Sequence, residues 1–213
     1  QNDKEMIYPD QFIPVLEKNG YVIDVDNFIW NKVCACIKMM EDKGIEPVPI
    51  SVNVSRMHVY QEKFTENLKN MAGEYGIDPK YIPLEITESA FTKEEGSLFK
   101  KVQSLQGYGF KFSMDDFGSG YSSLGMLKSE RVDEVKIDKT FVDDIATDKG
   151  KVLLGNVIRM INELGIDMIA EGVETKEQAD FLKENGCMYA QGYYYYKPMP
   201  IEEFAKLLEN SAR

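Results

Sequence analysis

Histidine is nearly absent from this chain of 213 residues: His58 is the only one, alongside three cysteines and a single tryptophan. His58 stands in a polar stretch at a helix entrance and reads as a surface residue, so the chemistry has to proceed without histidine. Cys34, Cys36 and Cys187 fit neither a zinc spacing nor a redox C-x-x-C. Cys34 and Cys36 lie two apart on an expected helix and face different ways, and all three read as packing residues in a reducing compartment. No apolar run approaches the ~20 residues of a membrane span, and the start carries no signal-peptide pattern. Positive charge is also short: 25 Lys and Arg against 36 Asp and Glu leave a net charge of −11. That excludes the basic footprint of a DNA- or RNA-duplex-binding surface. It leaves room for a small anionic substrate where bound cations reverse the sign locally. Linkers and low-complexity tracts are missing too, so residues 1–213 read as one domain, and 43% hydrophobic content sets it apart from disordered chains.

What is present is a sixfold alternation. Short β-rich apolar runs occupy residues 48–55, 82–88, 110–116, 134–138, 167–171 and 188–191, each followed by a helical pattern. Helices are expected at 9–19 and 26–43, then at 59–75, 93–106, 121–129, 151–164, 175–185 and 201–211. Capping boxes at Thr92-x-x-Glu95 and Thr175-x-x-Gln178 open two of them, and Gly76, Gly107, Gly165 and Gly186 close others. Strands alternating with helices imply a parallel sheet. Within the runs, Ile50, Val52 and Val54 oppose Ser51, Asn53 and Ser55; Leu84 and Ile86 oppose Glu85 and Thr87; Phe112 and Met114 oppose Ser113 and Asp115; Val135 and Ile137 oppose Lys136 and Asp138. An open doubly wound sheet would be apolar on both faces. One polar face instead predicts an α/β fold of the TIM-type (β/α)8 barrel class, with polar residues lining the upper lumen. Six strands rather than eight make it a barrel apparently missing its first strand or strands, with 1–8 or 20–25 as candidate extended segments.

Asn53, Glu85 and Asp115 occupy inward positions on three successive strands, with Asp116 one step beyond. An amide and three carboxylates form an all-oxygen donor set of the kind hard divalent cations prefer, and adjacent carboxylates can bridge two ions for attack on a phosphodiester. Any one of these acids alone reads as a helix cap or surface group; four in register on three strands read as a site. Lys136 leaves three roles open: holding a phosphate oxygen or orienting water, an ion pair with Asp138, or a Schiff-base nucleophile. Glu171 is a candidate second-ion ligand or general base, whereas Glu174 reads as a carboxylate at a helix N-terminus. The Gly118-Ser-Gly120-Tyr121 loop lacks the ending of a P-loop. The tyrosine run 193–196 allows base stacking, although packing against helices is the preferred reading.

Six segments, in order, carry a resemblance: Ser51-Val-Asn-Val-Ser55, Leu84-Glu-Ile-Thr-Glu88, Asp115-Asp-Phe-Gly-Ser-Gly-Tyr-Ser-Ser-Leu124, Val135-Lys-Ile-Asp138, Ala170-Glu-Gly-Val-Glu174 and Gln191-Gly-Tyr193. Through them the chain resembles the EAL-domain family, bacterial phosphodiesterases that linearise cyclic di-GMP. The resemblance implies metal ligation by Asn53, Glu85, Asp115, Asp116 and Glu171, with Lys136 and Glu171 acting at the nucleophilic water. It implies that Glu88 anchors the loop 117–123 and that this loop leads to a homodimer interface. Gln191, Ser119 and Tyr121 would face the substrate. The implied cofactor is Mg²⁺ or Mn²⁺, two ions in an intact site, with Ca²⁺ inhibitory. The expected location is the cytoplasm, alone or as the cytoplasmic part of a membrane-anchored protein, with no membrane contact by this domain itself. The Glu-Ala-Leu signature is absent from the 213 residues, and Tyr8-Pro-Asp-Gln-Phe-Ile-Pro14 resembles the segment just after it. Hydrolysis to linear pGpG is therefore weighed against a catalytically impaired module that binds cyclic di-GMP.

Overall fold

A computed structural model describes residues 7–87, 95–118, 127 and 132–211. Helix α1 (Pro9–Asn19) starts on proline, whose fixed φ suits a first helical position. Gly20, at φ +76, ends it, and the chain re-enters helix at once as α2 (Val22–Asp42). Residues 20–25 are thus not extended, despite their β-rich composition. Val22, Asp26, Trp30, Cys34 and Ile37 recur at helical spacing and are all buried, and that burial overrides local propensity.

The sheet follows: β1 (Val52–Asn53), β2 (Leu84–Thr87), β3 (Phe112–Phe117), β4 (Glu134–Ile137), β5 (Asp167–Ala170) and β6 (Tyr189–Ala190), paired in chain order and parallel throughout. The run at 48–55 was expected to be longer than the two-residue β1. Among the described residues, ladder bonds flank it on one side only, Ile50 N–H to Tyr81 O and Val54 N–H to Glu85 O, both at 2.9 Å. The remaining helices are α3 (Arg56–Val59) and α4 (Phe64–Tyr75), where one helix was expected, then α5 (Glu95–Gln106), α6 (Lys139–Asp143), α7 (Asp148–Glu163), α8 (Lys176–Glu184) and α9 (Ile201–Ser211). The 121–129 helix and Thr92 lie outside the described residues.

Strand parity holds. Val52, Leu84, Ile86, Phe112, Met114, Val135, Ile137, Met168 and Ala170 are each no more than 4% exposed and pack under the helices. Each large apolar side chain so buried contributes about 1.5–3 kcal/mol. The opposite face carries Glu85, Ser113 and Lys136, all buried as well, so the polar face lines an interior. All three cysteines are buried and unbridged. The tyrosine run departs from its expected packing: Tyr193–Tyr196 are 41–61% exposed, because the strand ends at Ala190 and a turn follows. No helix among the described residues is long and apolar enough to cross a membrane.

Candidate active site

Neighbouring residues on a regular strand point to opposite faces, so Asp115 and Asp116 should not converge. They do because β3 breaks its register against β4 between Met114 and Phe117, and Asp116 takes φ +56. A left-handed backbone costs on the order of 1–2 kcal/mol, and Asp is one of the few residues that visits it readily. The irregularity turns Asp116 back toward the lumen. One carboxylate oxygen each from Asp115, Asp116 and Glu171 then lie within 4.8 Å of one another.

Glu171 directly follows β5, and its N–H donates to Ile137 O at 3.0 Å, carrying the β4–β5 ladder one step further. Gln191 Nε2 donates to Glu171 Oε1 at 2.7 Å and fixes the carboxylate. The backbone behind Gln191 is itself tightly placed: Val173 N–H donates to Gln191 O at 3.1 Å. At Gly192, φ +156, a Cβ would stand 2.2 Å from Val173 O, so only glycine permits this approach.

Lys136 sits at the centre. Its ammonium pairs with Glu85 Oε1 at 2.7 Å, with Glu171, and with Asp115 Oδ1 at 3.7 Å. Ser51 Oγ donates to Glu85 as well. Burial works against the Lys136 charge, but Glu85 and Glu171 outweigh it and hold the amine above its ordinary pKa. An ammonium held by three carboxylates favours an ion-pairing role over that of a Schiff-base nucleophile. Lys136 makes its ion pairs with these three acids rather than with Asp138, which caps α6 by accepting from Thr140 N–H at 2.9 Å.

Burial pushes the Asp115 carboxyl up to about 6, with Lys136 opposing and Glu85, Glu171 and Asp116 reinforcing the rise. Burial likewise raises Asp116, with Asp138 next in effect. Asp115 Oδ1 is buried without a hydrogen-bond partner. A desolvated carboxylate oxygen with no hydrogen bond, only a long ion pair to Lys136, beside two further acids fits a divalent cation, and an all-oxygen donor set favours Mg²⁺, Mn²⁺ or Ca²⁺ over zinc.

Asn53 stands in register with Glu85 at the β1–β2 pair, on an exposed position. Glu174 pairs with Lys139 at 2.7 Å, away from the acidic trio. Glu88, Ser119, Tyr121 and the loop beyond Gly118 lie outside the described residues. Beside the site, a cavity of about 1040 Å³ opens between α2 and α9, bordered by Phe28, Lys32, Ser51, Gln191, Tyr193 and Tyr196.

His58 corrects its surface reading. It is 1% exposed, with Nε2 3.0 Å from Asp26 Oδ2 and its ring 4.5 Å from that of Trp30. The available signal was Asp26: a carboxylate on the apolar stripe of α2 requires a buried partner.

A family model described as EAL domain matches residues 1–198. Among curated relatives, signaling protein YkoW of Bacillus subtilis is 33% identical over 97% of this chain and 26% of its own length. The probable cyclic di-GMP phosphodiesterase PdeG of Escherichia coli is 33% identical over 95% of this chain and 40% of its own length. The chain thus spans between about a quarter and two fifths of these relatives. A solved PaMucR phosphodiesterase in complex with c-di-GMP, the Pseudomonas aeruginosa MucR of the curated relatives, superposes at TM-score 0.89 with 30% identity, covering 96% of this chain and 83% of that one. The parallel sheet with its polar lumen is therefore the TIM-like barrel of these domains, and the chain belongs to the EAL domain family.

Proposed function

We propose that this chain is a divalent-metal-dependent phosphodiesterase that hydrolyses cyclic di-GMP to linear pGpG. The observation that carries it is the convergence of Asp115, Asp116 and Glu171 beside Lys136, with one buried carboxylate oxygen left without a hydrogen bond. Asp115, Asp116 and Glu171 would hold the ions, Mg²⁺ or Mn²⁺, with Asn53 and Glu85 as further ligands. When bound, such ions neutralise phosphate charge and acidify a water molecule. Glu171, oriented by Gln191, accepts the proton of the attacking water, while the Lys136 ammonium steadies a phosphate oxygen. Water adds to phosphorus and one P–O3′ bond breaks, leaving a free 3′-hydroxyl and a 5′-phosphate. Tyr193 and Tyr196 border a cavity of the size that lodges small-molecule ligands and offer faces for guanine.

The test is chromatographic. Purified protein with Mn²⁺ or Mg²⁺ converts cyclic di-GMP to pGpG, and both EDTA and Asp115→Asn abolish the product. Calorimetric binding of the nucleotide with no product in either metal would overturn hydrolysis and leave a receptor module.

A further inference from the structure

Resting on that reading, we infer that Trp30, braced by Asp26 and His58, is a positioning residue for Asn53. β1 is two residues long, and Val52 and Val54 both direct their N–H groups toward β2, at 2.9 Å from Pro83 O and Glu85 O. By strand alternation, the carbonyl of Asn53 faces the other way, where no strand among the described residues meets it. The indole Nε1–H of Trp30 takes that carbonyl at 3.0 Å. One helical turn earlier, Asp26 Oδ2 accepts from Ser55 N–H at 3.2 Å and engages His58 Nε2 at 3.0 Å.

The chain from Asn53 to Ser55 is therefore gripped at both ends by α2. The grip is rigid: Trp30, His58 and Phe64 are each 1% exposed, with Phe64 5.5 Å from the His58 ring and 6.2 Å from the Trp30 rings. The peptide plane after Asn53 is held from both sides, by Val54 N–H to Glu85 O and by the indole on Asn53 O; without the indole bond it is held from one side only and can tilt about the remaining bond. That tilt re-aims the Asn53 amide relative to Glu85, its register partner. Misplacement of a site group by about 1 Å costs about 100-fold in rate. A buried carboxylate and the single histidine thus support the site from behind, without touching substrate.

A double-mutant cycle separates positioning from bulk stability. Trp30→Phe keeps the ring and removes the donor, and Asn53→Ala keeps the carbonyl and removes the amide. Positioning predicts that each single variant loses about 10- to 100-fold in kcat/KM and that the double variant loses no more than Asn53→Ala. Additive losses would overturn the inference. Trp30 is the only tryptophan, so its emission is a second readout that needs no Trp30 variant. Titration with cyclic di-GMP in Ca²⁺ shifts wild-type emission saturably, and the shift is absent in Asn53→Ala. A flat wild-type signal while calorimetry records binding overturns the positioning role alone. No binding and no product overturns the phosphodiesterase reading beneath it.

Discussion

Replacing Asp116 by Gly, Asn and Ala separates what its backbone costs from what its carboxylate does. The residue sits at φ +56. Ala pays about 1–2 kcal/mol there, and Gly pays none. Gly gives back about 0.4–1 kcal/mol through the greater freedom of its unfolded chain. The net advantage of Gly over Ala is about 1 kcal/mol, and Asn, which tolerates the left-handed region, should match Gly. For 213 residues this corresponds to about 2–4 °C in melting temperature. All three variants also remove one acid from a buried group in which burial, Asp138 and Glu85 already disfavour the Asp116 charge. Thermal unfolding in EDTA should therefore rank Gly and Asn above Ala, with Asn at or above wild type. Cyclic di-GMP hydrolysis should fall at least about 100-fold in all three, since a ligand matters no less than the groups around it. Ala melting at or above Gly, with Asn below wild type, would refute both the backbone and the charge argument.

Lys136→Met leaves Glu85, whose side chain is 7% exposed, and Glu171 without their counter-charge; urea unfolding in EDTA should show a loss of about 3–5 kcal/mol, partly restored by millimolar Mg²⁺. The Cys34 thiol is fully buried and burial raises it from 9.0 to about 11, so it should resist a thiol reagent in the native protein at pH 8. Between those two pH values the unfolded chain loses this proton and the folded one keeps it. Stability is therefore complete below pH 9 and declines by about 2–3 kcal/mol toward pH 11; urea midpoints should show that component missing in Cys34→Ala. Gly192→Ala drives a methyl into the Val173 backbone and displaces Gln191 from Glu171; activity should fall together with the melting temperature, and an unchanged kcat would count against Gln191 as the orienting group.

Much of this architecture can be read from alternation alone. Val135 and Ile137 against Lys136 already separate helix-facing from lumen-facing positions, because a strand has period two and only one face is packed by helices. Helix limits were equally accessible where side chains mark them: Gln178 N–H donates to Thr175 Oγ1 at 3.2 Å and Thr175 N–H to Gln178 Oε1 at 3.0 Å, as the capping box predicts. The failures share a cause, tertiary context acting where local pattern is weak. The irregularity at Asp116 is a break in the same alternation that made the strands readable. The burial of His58 depends on Asp26, 32 residues away. The β-rich stretch from Val22 to Val25 becomes helix because Val22 and Asp26 face the interior together. Tyr193–Tyr196 alternate with nothing, because the chain has already left the sheet. The acidic trio was accessible as a list of acids; that Glu171 joins Asp115 and Asp116 is a matter of how the strand ends are placed, which local pattern does not give.

The Lys136 ammonium gives this barrel its own built-in counter-ion. Zinc-finger domains collapse only when metal arrives, so their assembly is hostage to metal supply. Here the repulsion among the acids is partly offset by a side chain that is synthesised with them, so the cup can form before any ion reaches it. On the proposed metal-dependent reading, maturation and metallation are uncoupled: starvation for divalent ions would silence the protein without unfolding it, and replenishment would switch it on without a refolding step.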